Sequence, residues 1–334
     1  MPVAPLSRFA RFAWGVLAYN LGVIAWGAYV RASGSGAGCG SHWPLCDGQV
    51  LPRAKTTQLV VELSHRLTSG VALILTVALL VAAFRTYPRG SLVRRGAVAT
   101  MGFMLAEALV GAGLVLFELV AHDASMKRAL SMSVHLTNTF LLLAAMTLTA
   151  YWASGGPRVR GRGQGRVAGM RGAAMLAMFV LGTSGAVAAL GDTLFPSRSL
   201  AEGLAQDFSG AGHIFMRLRM WHPFIATLTA ALVLGAAQVT RLLRPGPRVR
   251  KASRNVMIAF GLQYAVGLAN VMLLAPIPMQ LVHLVMADLV WISLVVLGAT
   301  AFAEAPAQPP IMSRNGPGPT SDEPPSTSSV APVT

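Results

Sequence analysis

Charge is what this sequence has least of. Asp, Glu, Lys and Arg together make up 12% of its 334 residues and 54% are hydrophobic, whereas a soluble globular domain carries about 25% charged residues. That scarcity excludes a soluble domain and marks a membrane protein. Acidic residues are scarcer still, 12 against 27 basic ones, for a net charge of +15. Such an excess could suit nucleic acid, but its placement excludes that partner. Arg8 and Arg11, then Arg85, Arg89, Arg94 and Arg95, then Arg158, Arg160, Arg162, Arg166 and Arg171, then Arg241, Arg244, Arg248, Arg250, Lys251 and Arg254 gather in alternate connections between apolar runs. Cytoplasmic loops show this bias. No small-residue cleavage site follows "RFAWGVLAYNLGVIAWGAYV", so the first run is expected to be a retained helix rather than a removable signal. Cysteine occurs twice, at Cys39 and Cys46. With His42 nearby, the pair still falls short of the four ligands a structural zinc site needs.

Eight apolar runs are present, near 12–30, 59–84, 97–119, 131–152, 172–190, 219–240, 256–275 and 280–302. Each has about the 20 residues that cross a hydrocarbon core of ~30 Å. The expected fold is therefore an all-α integral membrane protein with eight transmembrane helices and both termini cytoplasmic. The connection 31–58 then faces outside, where disulfides persist, so Cys39 and Cys46 can pair. Closing that ring of eight residues would restrict the unfolded chain by roughly 2.5 kcal/mol in the loop-entropy model. Residues 303–334, rich in Pro, Ser and Thr, have too little apolar surface to repay ordering and are expected to form a disordered cytoplasmic tail.

The basic linker 153–171 separates two halves that read as a repeat. "VELSHRLTSGVALILT" corresponds to "LRMWHPFIATLTAALV", and "SMSVHLTNTFLLL" to "PMQLVHLVMADLVWISL". "AEALVGAGLVL" aligns with "LQYAVGLANVM", setting Glu107 opposite Gln263. An even number of spans per half makes the repeat parallel. The expectation is two pseudo-symmetric four-helix bundles, 1–152 and 172–302.

Four of the seven histidines, His65, His135, His222 and His283, open the even-numbered spans. All four lie one to two turns below the outer surface at ~1.5 Å of rise per residue. A lone intramembrane histidine is often an interhelical hydrogen bond. Facing histidines in a four-helix unit also hold a haem iron from both sides, and two halves give two such sites. His42, His122 and His213 fall in exterior connections and are left out. Glu62 precedes His65 by three residues on the same helix face, while Arg219 occupies the matching position before His222. Glu62 either handles protons or pairs with Arg66. Arg31, Arg66, Arg217 and Arg219 are candidate partners of haem propionates. Glu107 and Asp288, ionisable groups within spans, are functional candidates by cost alone.

"YVRASGSGAGCGSHWPLCDGQVLP", "ELSHRL", "SVHLTNTFLLL" and "HLVMADLVWI", in that order, resemble the haem A synthase family, membrane enzymes that oxidise haem O to haem A for cytochrome oxidase. The resemblance covers about residues 10–302. It implies that His65 and His135 hold the substrate haem O and that Glu62 is essential to oxidising a haem methyl group, through an alcohol, to a formyl group. It further implies that His222 and His283 ligate a haem b. The chain departs from the family where "WHPF" lacks an arginine after the histidine and where Glu107 stands in place of a usual glutamine. The exterior connection 191–216 has no cysteine pair, matching a subclass with a pair in the first half alone. The resemblance implies a place in the cell membrane among lipid, and leaves room for haem O synthase, an electron donor and a homo-oligomer as partners. Structural and redox roles both stay open for Cys39 and Cys46. Two other classes remain as alternatives: a di-haem cytochrome b that only passes electrons, and a parallel-repeat transporter built on Glu107 and Asp288.

Overall fold

The computed structural model describes residues 5–50, 52–53, 56–159, 165–209 and 212–303. The expected tail beyond residue 303, residues 160–164 of the linker, the side chain of Arg166 and residues 51, 54 and 55 of the exterior loop lie outside the described residues. Helices account for the elements among those described: α1 Arg8–Ala32, α2 Thr57–Thr86, α3 Leu92–Leu116, α4 Met126–Ala153, α5 Gly165–Leu194, α6 Leu200–Phe208, α7 Ile214–Arg219, α8 Trp221–Leu243, α9 Pro247–Met272 and α10 Ile277–Ala301, with a short 3-10 turn at Ser35–Ala37. Eight stretches are long and apolar enough to cross a membrane, α7 and α8 together forming the sixth. The protein is a multi-pass membrane protein.

Local chemistry sets the helix ends. Ser7, Thr56, Ser91 and Ser125 each accept a backbone N–H from three residues on, at 3.1, 3.2, 3.3 and 3.2 Å, relieving donors that the first turn leaves unpaired. Proline in the first turn starts α9 and α10, where its missing N–H costs nothing. α3 and α9 finish in the same way. Leu119 N–H returns to Leu114 O and Glu118 N–H to Val115 O, while Ala275 N–H returns to Asn270 O and Leu274 N–H to Val271 O. Glu118 and Leu274 are left-handed at φ 57° and 62°, as this double-bonded helix exit demands. The two exits stand at the same offset that aligns Glu107 with Gln263.

α1 to α4 pack on one another, as do α5, α8, α9 and α10, while α4 meets α5 and α10 and α1 meets α10 along the seam. One apolar core runs across that seam, from Phe9 and Leu17 through Phe140 and Leu143 to Val233, Trp291 and Leu297. Trp291 Nε1 donates to Phe140 O at 2.7 Å, its ring stacks on Phe140 at 5.0 Å, and Phe179 meets it edge-on at 5.0 Å. Outward side chains such as Ile74, Leu109, Leu228 and Phe224 are largely exposed. So extensive an apolar surface would be a liability in water and suits lipid.

Candidate functional site

The four in-span histidines sit eight, nine, eight and six residues beyond Thr57, Met126, Ile214 and Ile277, the starts of their spans, so they share a depth of roughly 9–14 Å along the helices. Each faces a glycine on the preceding long helix. A Cβ built on Gly27 of α1 would lie 2.9 Å from His65 Cε1, on Gly185 of α5 3.1 Å from His222 Cε1, on Gly267 of α9 2.8 Å from His283 Cε1, and on Gly111 of α3 4.0 Å from His135 Cε1. In the first three places the imidazole rests where any other residue's side chain would begin.

The arrangement fits a haem held between paired imidazoles. The His222 and His283 ring centroids are 6.3 Å apart. Two metal–imidazole bonds of about 2.0–2.1 Å, with about 1 Å more on each side from nitrogen to ring centre, span the same distance. Ser184 Oγ lies 2.9 Å from His222 Nδ1, which fixes the ring and leaves Nε2 for a metal. Nδ1 of His65, His135 and His283 is buried without a hydrogen-bond partner among the described residues. Such orphaned donor sets in a dry region call for a ligand. In the first half His65 of α2 and His135 of α4 stand at matching depth on their helices.

Beside the first pair, Glu62 is buried and both of its oxygens are taken. Cys39 N–H donates to Oε2 at 2.8 Å, and Arg66 donates to Oε1 through Nε at 3.1 Å and Nη2 at 2.5 Å. Arg66 Nη1 also donates to the carbonyls of His42 and Leu45, at 2.7 and 2.6 Å. Cys39 and Cys46 are joined as a disulfide, and Asp47 N–H donates to Cys39 O at 2.9 Å. The sequence left Glu62 between proton handling and pairing with Arg66; the pair is present, and the cysteine ring is part of it. Trp26 Nε1 donates to Ser64 Oγ at 3.0 Å, and Tyr19 to Thr68 O at 3.2 Å, pinning the His65 turn of α2 to α1.

Two more of the expected arginines, Arg219 and Arg31, are engaged with protein. Arg219 donates to Asp207 at 2.6 Å, Asp192 at 3.4 Å, Phe195 O at 3.2 Å, Ser197 at 3.3 Å and Gln206 at 3.4 Å. Arg31 reaches across the seam to Ala189 O at 2.9 Å, Thr193 Oγ1 at 2.8 Å and Gln280 Oε1 at 2.9 Å. Arg217 is exposed. A propionate near any of the engaged three would share its guanidinium with these acceptors. His42 and His122 are exposed, and His213 caps α7 and stacks on Phe195 at 4.8 Å.

Glu107 is a neighbour of His135: its Oε1 lies 3.5 Å from Nδ1. Thr139 Oγ1 contacts the same Oε1 at 2.5 Å, and Asn138 Nδ2 donates to Oε2 at 2.5 Å. In the second half Gln263 Nε2 stands 3.4 Å from His283 Nε2. Asp288 is fully buried on α10, with neither oxygen hydrogen-bonded among the described residues. The glycine seats, Ser184 and the Asn138–Thr139 hold on Glu107 escaped the sequence reading. The glycines could have been found, because "VGAG" and "VGLA" place a glycine four residues after Glu107 and Gln263 in both halves.

A family model described as cytochrome oxidase assembly protein, COX15-CtaA, matches residues 10–295. The chain is similar to a "Protoheme IX farnesyltransferase" of Thermus thermophilus, 47% identical over 295 residues, which are 88% of this chain and 48% of that protein. It thus spans about half the length of that relative. It is also similar to a "Heme A synthase" of Bacillus mycoides, 40% identical over 113 residues, covering 34% of this chain and 36% of that one. A "Heme A synthase" of Bacillus cereus is 40% identical over 95 residues, 28% of this chain and 30% of the relative.

Proposed function

The chain belongs to the COX15-CtaA family of cytochrome oxidase assembly proteins, and on that premise we propose that it is a haem A synthase, oxidising the methyl group of haem O to a formyl group through an alcohol. The observation that carries this reading is the set of four histidines at one depth, three of them seated on glycines of the neighbouring helix. His65 and His135 would hold the substrate, and His222 and His283 a resident haem b. Bound there, haem b supplies one-electron redox chemistry between the substrate half and an electron partner.

Within the first half, Glu62 is the proton-handling group. Taking the methyl group to an alcohol with water as the oxygen source, and the alcohol to a formyl group, releases two electrons and two protons each time; the electrons pass to the electron partner, and a positioned carboxylate is suited to carrying the protons out of a dry site. Cys39 N–H and Arg66 hold it in one orientation, and the carbonyls of His42 and Leu45 hold Arg66 in turn. The cysteine ring therefore works as a template for the carboxylate. The second half has Arg219 at the same position, already bound to two aspartates, and is built to hold its ligand rather than to move protons. We place both termini in the cytoplasm and the cysteine ring outside, following the basic loops. Haem O synthase is a natural source of the substrate.

The printed name of the Thermus relatives offers farnesyl transfer as a second reading. Displacing diphosphate calls for a divalent cation held by clustered carboxylates. Here Glu62, Glu107 and Asp288 stand on three different helices, and the described residues contain no cluster of three acidic, histidine or cysteine ligands. The family model and the histidine set favour oxidation. Expressing the protein with a supply of haem O and chromatographing the extracted haems tests the choice: haem A is expected, and haem O alone overturns it.

A further inference from the structure

A haem iron gripped by two imidazoles has no position open to a small molecule. The half that holds substrate must also let it go. This inference rests on the haem A synthase reading, and it concerns the grip on the substrate haem. We infer that His135 is the ligand that yields and His65 the one that stays.

Three of the four imidazoles are pressed onto a neighbouring helix backbone. Gly27, Gly185 and Gly267 have no room for a Cβ, which would fall 2.8–3.1 Å from the ring of His65, His222 or His283. A ring so placed cannot move toward its neighbour. His135 is the exception. A Cβ on Gly111 would meet Cε1 at 4.0 Å, ordinary van der Waals contact, so a methyl-sized space separates this ring from α3. Its side chain is also 27% exposed, leaving it free of close packing on one side.

The space leads to an acceptor. Glu107 Oε1 is 3.5 Å from His135 Nδ1, just beyond hydrogen-bonding distance. Asn138 and Thr139 hold the carboxyl group in place. A swing of the ring about its side-chain torsions would carry it into that space, where Glu107 can take Nδ1–H. His65 has no such route, because Glu62, its nearest acid along α2, is committed to Cys39 and Arg66. Glu107 is a positioning residue in this account: it receives the departing ring.

The test compares His65→Ala, His135→Ala and Gly111→Ala as full-length proteins loaded with haem O. Readouts are haem content per protein, the spin state by electron paramagnetic resonance, and carbon monoxide binding to the reduced form. The low-spin spectrum of the second half reports folding in each variant. His135→Ala is expected to keep the substrate haem as a five-coordinate species that binds carbon monoxide, and His65→Ala to lose that haem. Gly111→Ala fills the space without a clash, so it should keep both haems and slow carbon monoxide binding about tenfold. Retention in His65→Ala with loss in His135→Ala overturns the inference, and so does an unchanged rate in Gly111→Ala. Wild-type protein holding haem in the second half alone counts against the haem A synthase reading itself, and overturns the inference with it.

Discussion

The two sets of histidines share helix positions, and differ in what stands three residues before the first histidine of each. In the first half that residue is Glu62, tied through Cys39 N–H and Arg66 to a disulfide ring. In the second it is Arg219, tied to Asp192 and Asp207. Both networks hold the N-terminal part of a helix, with opposite charge three residues before the histidine. Under the proposed function, two four-helix units with histidines at matching positions take two tasks through a few side chains beside those histidines.

The largest expected effect comes from making the halves alike at that position. Glu62→Gln should lower haem A yield by about 10²–10⁴-fold, the usual worth of a general base, with the haem b spectrum intact; an unchanged yield would break the division of labour. Next, Gly267→Ala drives a methyl group into His283. Overpacking of about 1–3 kcal/mol should expel haem b and spare haem O binding, read by extraction. Opening the ring with Cys39→Ser removes roughly 2.5 kcal/mol of restriction and loosens Glu62. A lower melting temperature and reduced haem A are expected, with haem b unchanged; near-normal yield would reduce the ring to a staple. The smallest effect is expected of Glu107→Gln, which gives the first half the glutamine of the second. Haem A yield should fall about tenfold, the low end of what changing a ligand's hydrogen-bonding neighbour costs.

The eight spans were legible because hydrocarbon thickness sets a run length that few other structures need. Their ends were not. α3 starts at Leu92 and α4 at Met126, about five residues before the apolar runs near 97 and 131, because Ser91 and Ser125 cap turns that carry polar residues. The nine-residue α6 was missed for the same reason, being too short and too mixed to read as a span. The histidines could be read because the repeat placed them at equal depth. The tie from Cys39 to Glu62 could not, since the two are 23 residues apart and meet through a loop with no periodic pattern. Arg31 and Arg219 read in sequence as candidate propionate partners. Their acceptors on α5, α10 and the 192–207 connection come together only once the helices pack.

Arg31 also bears on how the molecule can move. Leaving the end of α1, it binds Ala189 and Thr193 on α5 and Gln280 on α10, so one side chain bolts α1 to α5 and α10 across the seam. A carrier that opens alternately to each side has to part such a seam, breaking charged hydrogen bonds worth about 1.5–3 kcal/mol each. A relay gains from the same bolt. Electron tunnelling falls off steeply with distance, and a seam that does not rock keeps the gap between the two histidine pairs constant from one turnover to the next.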